Sequence, residues 1–275
     1  MKKIKIGNFE IGGGAPLVLI AGPCVIEDED SAMSIAGELK RIAVRLGMPL
    51  IFKASYDKAN RTSHKSYRGP GLTRGLEILA RVRQELDIPI LSDVHRFEEI
   101  APAAQVLDVV QVPAFLCRQT DFVMEIARQA KAVNIKKGQF IAPQDAIHIA
   151  KKAEAAGNEN ILLTERGASF GYNNLVVDFR SLPVLRKTGY PVIFDATHSV
   201  QLPGAAGTAS GGDRAMVPCL ARAAVAAGVD GLFFEVHPDP ERALSDGPNS
   251  LVLDSLPALL TTLLKIDAVV RPGLC

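Results

Sequence analysis

Eight short apolar runs recur along the chain, at residues 17–22, 50–54, 88–94, 109–113, 139–142, 161–165, 192–196 and 232–236. Each is rich in β-branched residues, and polar clusters and helix-like segments separate them. None alternates apolar with polar, which is the mark of parallel strands buried on both faces. Eight such units are the count of a (β/α)8 TIM barrel, an α/β fold whose strands close on themselves inside a ring of helices. An open, doubly wound sheet is the alternative, but no Gly-x-Gly-x-x-Gly opens the first helix.

The segments between the runs have a helical period. Residues 31–46 place Met33, Ile35, Ala36, Leu39, Ile42, Ala43 and Leu46 near one stripe. Asp30 or Ser31 can cap the start and Gly47 can end it. Residues 72–86 and 214–227 read the same way. Residues 3–12 suit an N-terminal β-hairpin that closes the barrel bottom. No Pro/Ser-rich linker or charge block divides the 275 residues. One domain over residues 1–275 is therefore expected, with the hairpin in 1–14 and the barrel in 15–275.

Composition narrows the function. The formal net charge is +1, which supplies no field toward nucleic acid or anionic membranes. Aromatics are 5% with no Trp, too few for base stacking to be the main activity. Any anion must be held by local cations. The four cysteines, Cys24, Cys117, Cys219 and Cys275, are widely spaced with no Cys-x-x-Cys. That pattern points to reduced thiols and a cytoplasmic location rather than a disulfide scaffold. The approach to Cys24 imitates a lipoprotein leader, but Lys5, Glu10 and three glycines interrupt it. No run of about 18 apolar residues suggests a membrane span.

In such barrels the chemistry sits where strands end and in the loops that follow. Here those ends carry Cys24, Lys53, Asp93, His95, Arg118, Gln139, Glu165, Arg166, Asp195, His198, Glu235 and His237. A lysine ending an apolar run needs an anionic partner. Lys53 is one, Lys58 and Arg61 follow in the same loop, and Lys136, Lys137 and Arg166 come from elsewhere on the rim. Several cations on separate strands suit more than one anionic group, with arginine fitted to bidentate phosphate binding. Cys24, His198, Glu235 and Asp246 form a plausible mixed site for Zn2+, Fe2+ or Mn2+. Spacing alone leaves His237 and His95 as alternative ligands and a merely reduced, buried Cys24 as a rival reading. Cys117, Cys219 and Cys275 read as core or tail residues.

The motifs that carry these residues are Ala21-Gly22-Pro23-Cys24, Phe52-Lys53-Ala54-Ser55, Lys58-Ala59-Asn60-Arg61-Thr62-Ser63, Ser92-Asp93-Val94-His95, Gln111-Val112-Pro113-Ala114-Phe115, Asn134-Ile135-Lys136-Lys137, Thr164-Glu165-Arg166-Gly167, Phe194-Asp195-Ala196-Thr197-His198 and Glu235-Val236-His237-Pro238. Over nearly the whole chain they resemble the 3-deoxy-D-manno-octulosonate 8-phosphate synthase family. The resemblance implies a transferase that condenses phosphoenolpyruvate with D-arabinose 5-phosphate and water in lipopolysaccharide precursor biosynthesis, acting as a homotetramer without an organic cofactor. It implies that Lys53, Lys136 and Arg166 hold phosphoenolpyruvate, with Gln139 and Ser55 nearby. Asn60 and Arg61 would hold the sugar phosphate. Lys53, Lys58, Asp93, His95 and His198 are the implied catalytic positions, and Phe115 and Arg118 would reach a neighbouring subunit's site.

The family divides on its metal. Members that use one carry Cys at the position of Cys24, and those that do not carry Asn. Cys24, His198, Glu235 and Asp246 thus resemble the metal-dependent class, whereas Gly247-Pro248 after the aspartate resembles the other branch. The nearest rival family uses erythrose 4-phosphate and reads Lys-Pro-Arg-Thr where this chain has Lys58-Ala59-Asn60-Arg61-Thr62. A non-catalytic phosphosugar-binding protein is the rival from another class. The Gly- and Ala-rich residues 202–210 are the candidate lid.

Overall fold

The computed structural model describes residues 1–205 and 210–273. Eight parallel strands, Val18–Gly22, Leu50–Lys53, Ile90–Asp93, Val109–Val112, Val133–Lys136, Ile161–Glu165, Val192–Asp195 and Gly231–His237, pair in chain order. The last strand pairs with both the seventh and the first, through Phe194↔Leu232 and Leu232↔Leu19, and so closes the barrel. A helix follows each strand: Glu29–Leu46, Leu72–Leu86, Phe97–Val106, Thr120–Gln129, Ala146–Ala155, Ser181–Arg186, Val217–Ala226 and Leu256–Val270. This is the expected (β/α)8 barrel.

The strands lack alternation for the predicted reason. Leu19, Ala21, Leu50 and Phe52 face outward into the layer shared with the helices, while Val18, Ile20 and Ile51 face inward. Both sets are apolar and fully buried. The hairpin pairs Ile4–Ile6 with Phe9–Ile11, with Lys5 opposite Glu10. Its Ile4, Ile6 and Ile11 pack on Val18, Val109, Leu162 and Phe233, plugging the barrel interior. Each such fully buried aliphatic side chain stabilises the fold by about 1.5–3 kcal/mol.

The fifth strand corrects the sequence reading. It is Val133–Lys136, not residues 139–142, which form a loop ahead of the next helix. Polar residues at alternate positions disguised it. Val133 and Ile135 face the helices, whereas Asn134 points into the barrel. There it donates to Gln111 Oε1 at 3.0 Å and accepts from Thr164 Oγ1 at 2.6 Å. These bonds satisfy amide and hydroxyl groups that burial would otherwise leave without partners.

Helix limits differ by small steps. The first helix starts at Glu29, because Asp28, rather than Asp30 or Ser31, caps it and accepts Ser31 N–H at 2.7 Å. Gly47 ends it at φ 62, the left-handed conformation that glycine adopts readily. Leu72–Leu86 matches its expected range, while 214–227 divides into a short turn, Arg214–Met216, and the helix Val217–Ala226.

Candidate active site

The C-terminal strand ends gather one pocket. Of the sequence-predicted residues, Lys53, Lys58, Asn60, Arg61, Asp93, His95, Phe115, Lys136, Gln139, Arg166, His198 and Asp246 line it. Ser55, Cys24 and Glu235 are buried beside it. Arg118 is not in it: its side chain faces a separate depression with His148 and Lys152. Lys137 also turns away, donating to Gly138 O and Ile141 O and pairing with Glu165 at 3.4 Å. Gly22, at the end of the first strand, lets the Lys53 backbone come close; a Cβ there would lie 1.9 Å from Lys53 O.

Three cations converge on one side. Lys53 Nζ donates to Cys24 O at 3.0 Å and lies 3.3 Å from Glu235 Oε1. Lys136 is ion-paired with Asp195, and its Nζ lies 4.0 Å from the Phe233 ring centroid. Such placement stabilises a buried cation. Arg166 Nη2 donates to Gln201 Oε1 at 2.7 Å and His198 O at 3.2 Å, while its buried Nε has no partner among the described residues. Burial lowers both Lys136 and Arg166 from their ordinary values, with Asp195 opposing the shift. Burial pushes Asp195 up, but His198, Lys136 and Arg166 outweigh it and hold the carboxyl well below its usual range.

Further paired charges line the same pocket. Lys58 lies 3.6 Å from Glu235 Oε1. Burial would lower its ammonium, but Cys24, Glu235, Asp93 and Asp246 together raise it well above the ordinary value. His95 Nε2 is 2.9 Å from Asp93 Oδ2, and Ser55 Oγ donates to the other oxygen of Asp93. Arg61, at the rim, donates to Ser245 Oγ and to Leu244 O.

The four predicted metal-site residues lie together. Ligand atoms of Cys24, Glu235 and Asp246 all fall within 4.8 Å of one another. His198 Nε2 adds a fourth donor, 3.2 Å from Glu235 Oε1 and 3.9 Å from Asp246 Oδ2. Glu235 Oε2 is buried with no hydrogen-bond partner among the described residues. A thiol, an imidazole and two carboxylates in this array fit a Zn2+, Fe2+ or Mn2+ ion. Burial, then Asp246 and Glu235, push the Cys24 thiol well up, against the pull of Lys58 and Lys53. His237 lies outside the set, 3.6 Å from Glu27. His95 falls in another group with Asp57 and Glu99, but there Arg68 forks onto Asp57, while Glu99 accepts from Tyr56 and from His95 N–H.

Several site residues were not anticipated. Gln201 ties Arg166 to Asp246, donating to Asp246 Oδ2 at 3.0 Å. Ser245 joins Arg61 to Cys24, and Phe233 lies beneath Lys136. None carries a charge, so nothing in composition singled them out. Cys117 is buried as expected, whereas Cys219 is exposed on its helix, and Cys275 lies outside the described residues. The candidate lid 202–210 falls partly outside them too; its Gln201–Leu202 flank pairs with Gly211–Gly212.

The sequence model of the DAHP synthetase I family matches residues 2–271. The 2-dehydro-3-deoxyphosphooctonate aldolase of Geotalea uraniireducens is 63% identical over 271 residues, covering 98% of this chain and 100% of that protein. The same-named protein of Desulfosudis oleivorans is 64% identical over 264 residues, covering 96% and 95%. That of Trichlorobacter lovleyi is 63% identical over 270 residues, covering 98% and 99%. At that identity and coverage, with its motifs assembled around one pocket, the chain belongs to the DAHP synthetase I family, beside the members named 2-dehydro-3-deoxyphosphooctonate aldolase.

Proposed function

We propose that this chain condenses phosphoenolpyruvate with D-arabinose 5-phosphate and water, giving 3-deoxy-D-manno-octulosonate 8-phosphate and phosphate, as a transferase of lipopolysaccharide precursor biosynthesis. The observation that carries the reading is the pocket itself. Lys53, Lys58, Asn60, Arg61, Lys136 and Arg166 all line it, brought from separate strand ends and loops. Two phosphates and a carboxylate need several cations in one pocket. Lys53, Lys136 and Arg166, with Gln139, bind phosphoenolpyruvate; Asn60 and Arg61 bind the sugar phosphate; Lys58, Asp93 and His95 face the space between.

Carbon 3 of phosphoenolpyruvate attacks the sugar aldehyde while water adds at carbon 2, and the resulting tetrahedral species loses phosphate by C–O cleavage. The protein's task is to set two anions together and to meet charge as it shifts, which fixed cations do without reorganising. Lys136, held by Asp195 and by the face of Phe233, is fixed in this sense. His198 is oriented by Asp195 through both its ring and its backbone. Cys24, His198, Glu235 and Asp246 would hold a divalent cation, whose chemistry is Lewis-acid polarisation and orientation of a reacting oxygen.

Phosphate release is the test. It is expected from the two substrates mixed, from neither alone, and only weakly when erythrose 4-phosphate replaces arabinose 5-phosphate. The opposite sugar preference would overturn the assignment, and release from neither mixture would favour a binding protein. Metal-stripped protein should lose activity and regain it with Mn2+ or Zn2+; full activity in demonstrably metal-free protein would remove the cation from the reading. Cys24→Asn is expected to keep some metal-free activity, which a folded but inactive variant would refute.

Phe115 is 55% exposed although it lines the pocket, which supports a homotetramer in which neighbouring copies cover each other's rims. Sedimentation at working concentration tests this. No helix among the described residues is long and apolar enough to cross a membrane, and Cys24, Cys117 and Cys219 are unpaired. The free thiols support a reducing compartment, the cytoplasm, as its location.

A further inference from the structure

The loop after the eighth strand joins two parts of the pocket that the proposed reaction uses separately. Ser245 is buried, and its Oγ is shared: Cys24 Sγ lies 3.0 Å away and Arg61 Nη1 2.5 Å away. Arg61 Nη2 also donates to Leu244 O at 3.3 Å. The next residue, Asp246, places Oδ2 3.3 Å from the same Cys24 sulfur. Both of Ser245's links therefore lead to groups that the proposed reaction needs.

The loop is braced so that these positions are not independent. Leu244 N–H donates to Glu27 Oε1 at 2.8 Å. Asp246 sits at φ 51, in the left-handed region, and its carbonyl accepts Asn249 N–H at 3.1 Å and Ser250 N–H at 3.0 Å. A Cβ on Gly247 would come within 2.3 Å of Pro240 O. Aspartate tolerates that conformation better than most residues, and the two bonds to its carbonyl keep it there. Moving Cys24 or Asp246 must move Ser245 with them.

We propose that Ser245 is a positioning residue that couples the Cys24 cluster to the phosphosugar loop. A divalent cation held by Cys24 and Asp246 fixes the two side chains that bracket Ser245, and the Ser245 hydroxyl in turn fixes Arg61. The inference rests on the functional reading above. Its sign is favourable, because order imposed by one ligand lowers the ordering cost met by the other. By linkage, the sugar phosphate must tighten cation binding by the same factor.

Calorimetric titration of D-arabinose 5-phosphate into Mn2+-loaded and chelator-stripped full-length protein, without phosphoenolpyruvate, measures one side. Competition for Mn2+ against a chelating indicator, with and without the sugar phosphate, measures the other. Each ligand should tighten the other about fivefold, at the low end of ordinary site-to-site couplings. In Ser245→Ala both ligands should still bind, and both factors should fall to about one. Equal sugar-phosphate affinity in the two wild-type forms, or coupling that survives in Ser245→Ala, overturns the proposal. Alanine is nearly isosteric with serine, and near-ultraviolet circular dichroism checks the variant's fold; if it does not fold, the wild-type comparison decides alone. Sugar phosphate that binds neither form sinks the functional reading and this inference with it, whereas equal binding to both sinks only the inference.

Discussion

His198 Nδ1 lies 2.7 Å from Asp195 Oδ2. The other oxygen of Asp195 accepts the backbone N–H of His198 at 2.9 Å. One carboxylate thus fixes both ring and backbone. A proton on Nδ1, donated to Asp195, leaves Nε2 as an acceptor facing Glu235 and Asp246. A lone pair aimed at two carboxylates is stable where a cation lies among them.

Asp195→Asn should therefore weaken divalent-cation binding by about 10- to 100-fold, the usual effect of removing a group that orients a ligating histidine. Indicator competition measures it, with a thermal melt recorded beside it because Lys136 loses its ion-pair partner. Unaltered Mn2+ affinity in a folded variant would show that Asp195 serves Lys136 alone.

Arg166→Lys tests the phosphoenolpyruvate side. The guanidinium spends Nη2 on Gln201 and His198, and its Nε is a buried donor with no partner among the described residues. Lysine keeps the charge but loses the fork. One charge-assisted hydrogen bond contributes about 1.5–3 kcal/mol, so KM for phosphoenolpyruvate should rise about 10- to 100-fold. KM for arabinose 5-phosphate should change far less. Equal rises in both would place Arg166 outside the phosphoenolpyruvate subsite.

Gly22→Ala tests the close approach beneath the site. The added Cβ would meet Lys53 O at 1.9 Å, and backbone cannot yield as a flexible side chain does. A loss of about 3 kcal/mol in urea unfolding is expected, at the upper end for overpacking. Activity should fall with it, because Lys53 must move. A variant as stable as the wild type would mean that the two strands separate at little cost.

The barrel was legible because most of its strands are apolar runs, which burial on both strand faces makes conspicuous. The fifth strand was missed because Asn134 and Lys136 interrupt its pattern, and their reason for being there, Gln111, Thr164 and Asp195, lies on other strands. The charged members of the pocket announced themselves, since lysines and carboxylates in apolar surroundings need partners. Gln201, Ser245 and Phe233 did not, because a neutral side chain becomes significant only through what it touches. Arg118, expected to serve a neighbouring subunit's site, lines a separate depression of its own chain.

His95 makes a prediction about pH. Its Nε2 is 2.9 Å from Asp93 Oδ2, and Glu99 Oε2 lies 3.9 Å from its Nδ1. Burial lowers the imidazolium, but Asp93, Glu99 and Asp57 outweigh it, and the net shift is upward from the ordinary 6.5. A raised folded-state value means that the folded protein binds this proton more tightly than the unfolded chain. The resulting stability is fully present below the unfolded-state value and is lost as pH rises through the folded one. Asp93, held well below the ordinary 3.8 despite burial, chiefly by His95 and the lysines, behaves oppositely: its contribution is lost as pH falls through its depressed value. Urea unfolding from about pH 5.5 to 8.5 should show wild-type stability declining on the alkaline side relative to His95→Gln, which lacks the titrating group. The difference between the two proteins isolates His95 from the other groups that titrate there. Parallel curves across that range would mean that the imidazolium gains nothing from its carboxylates on folding.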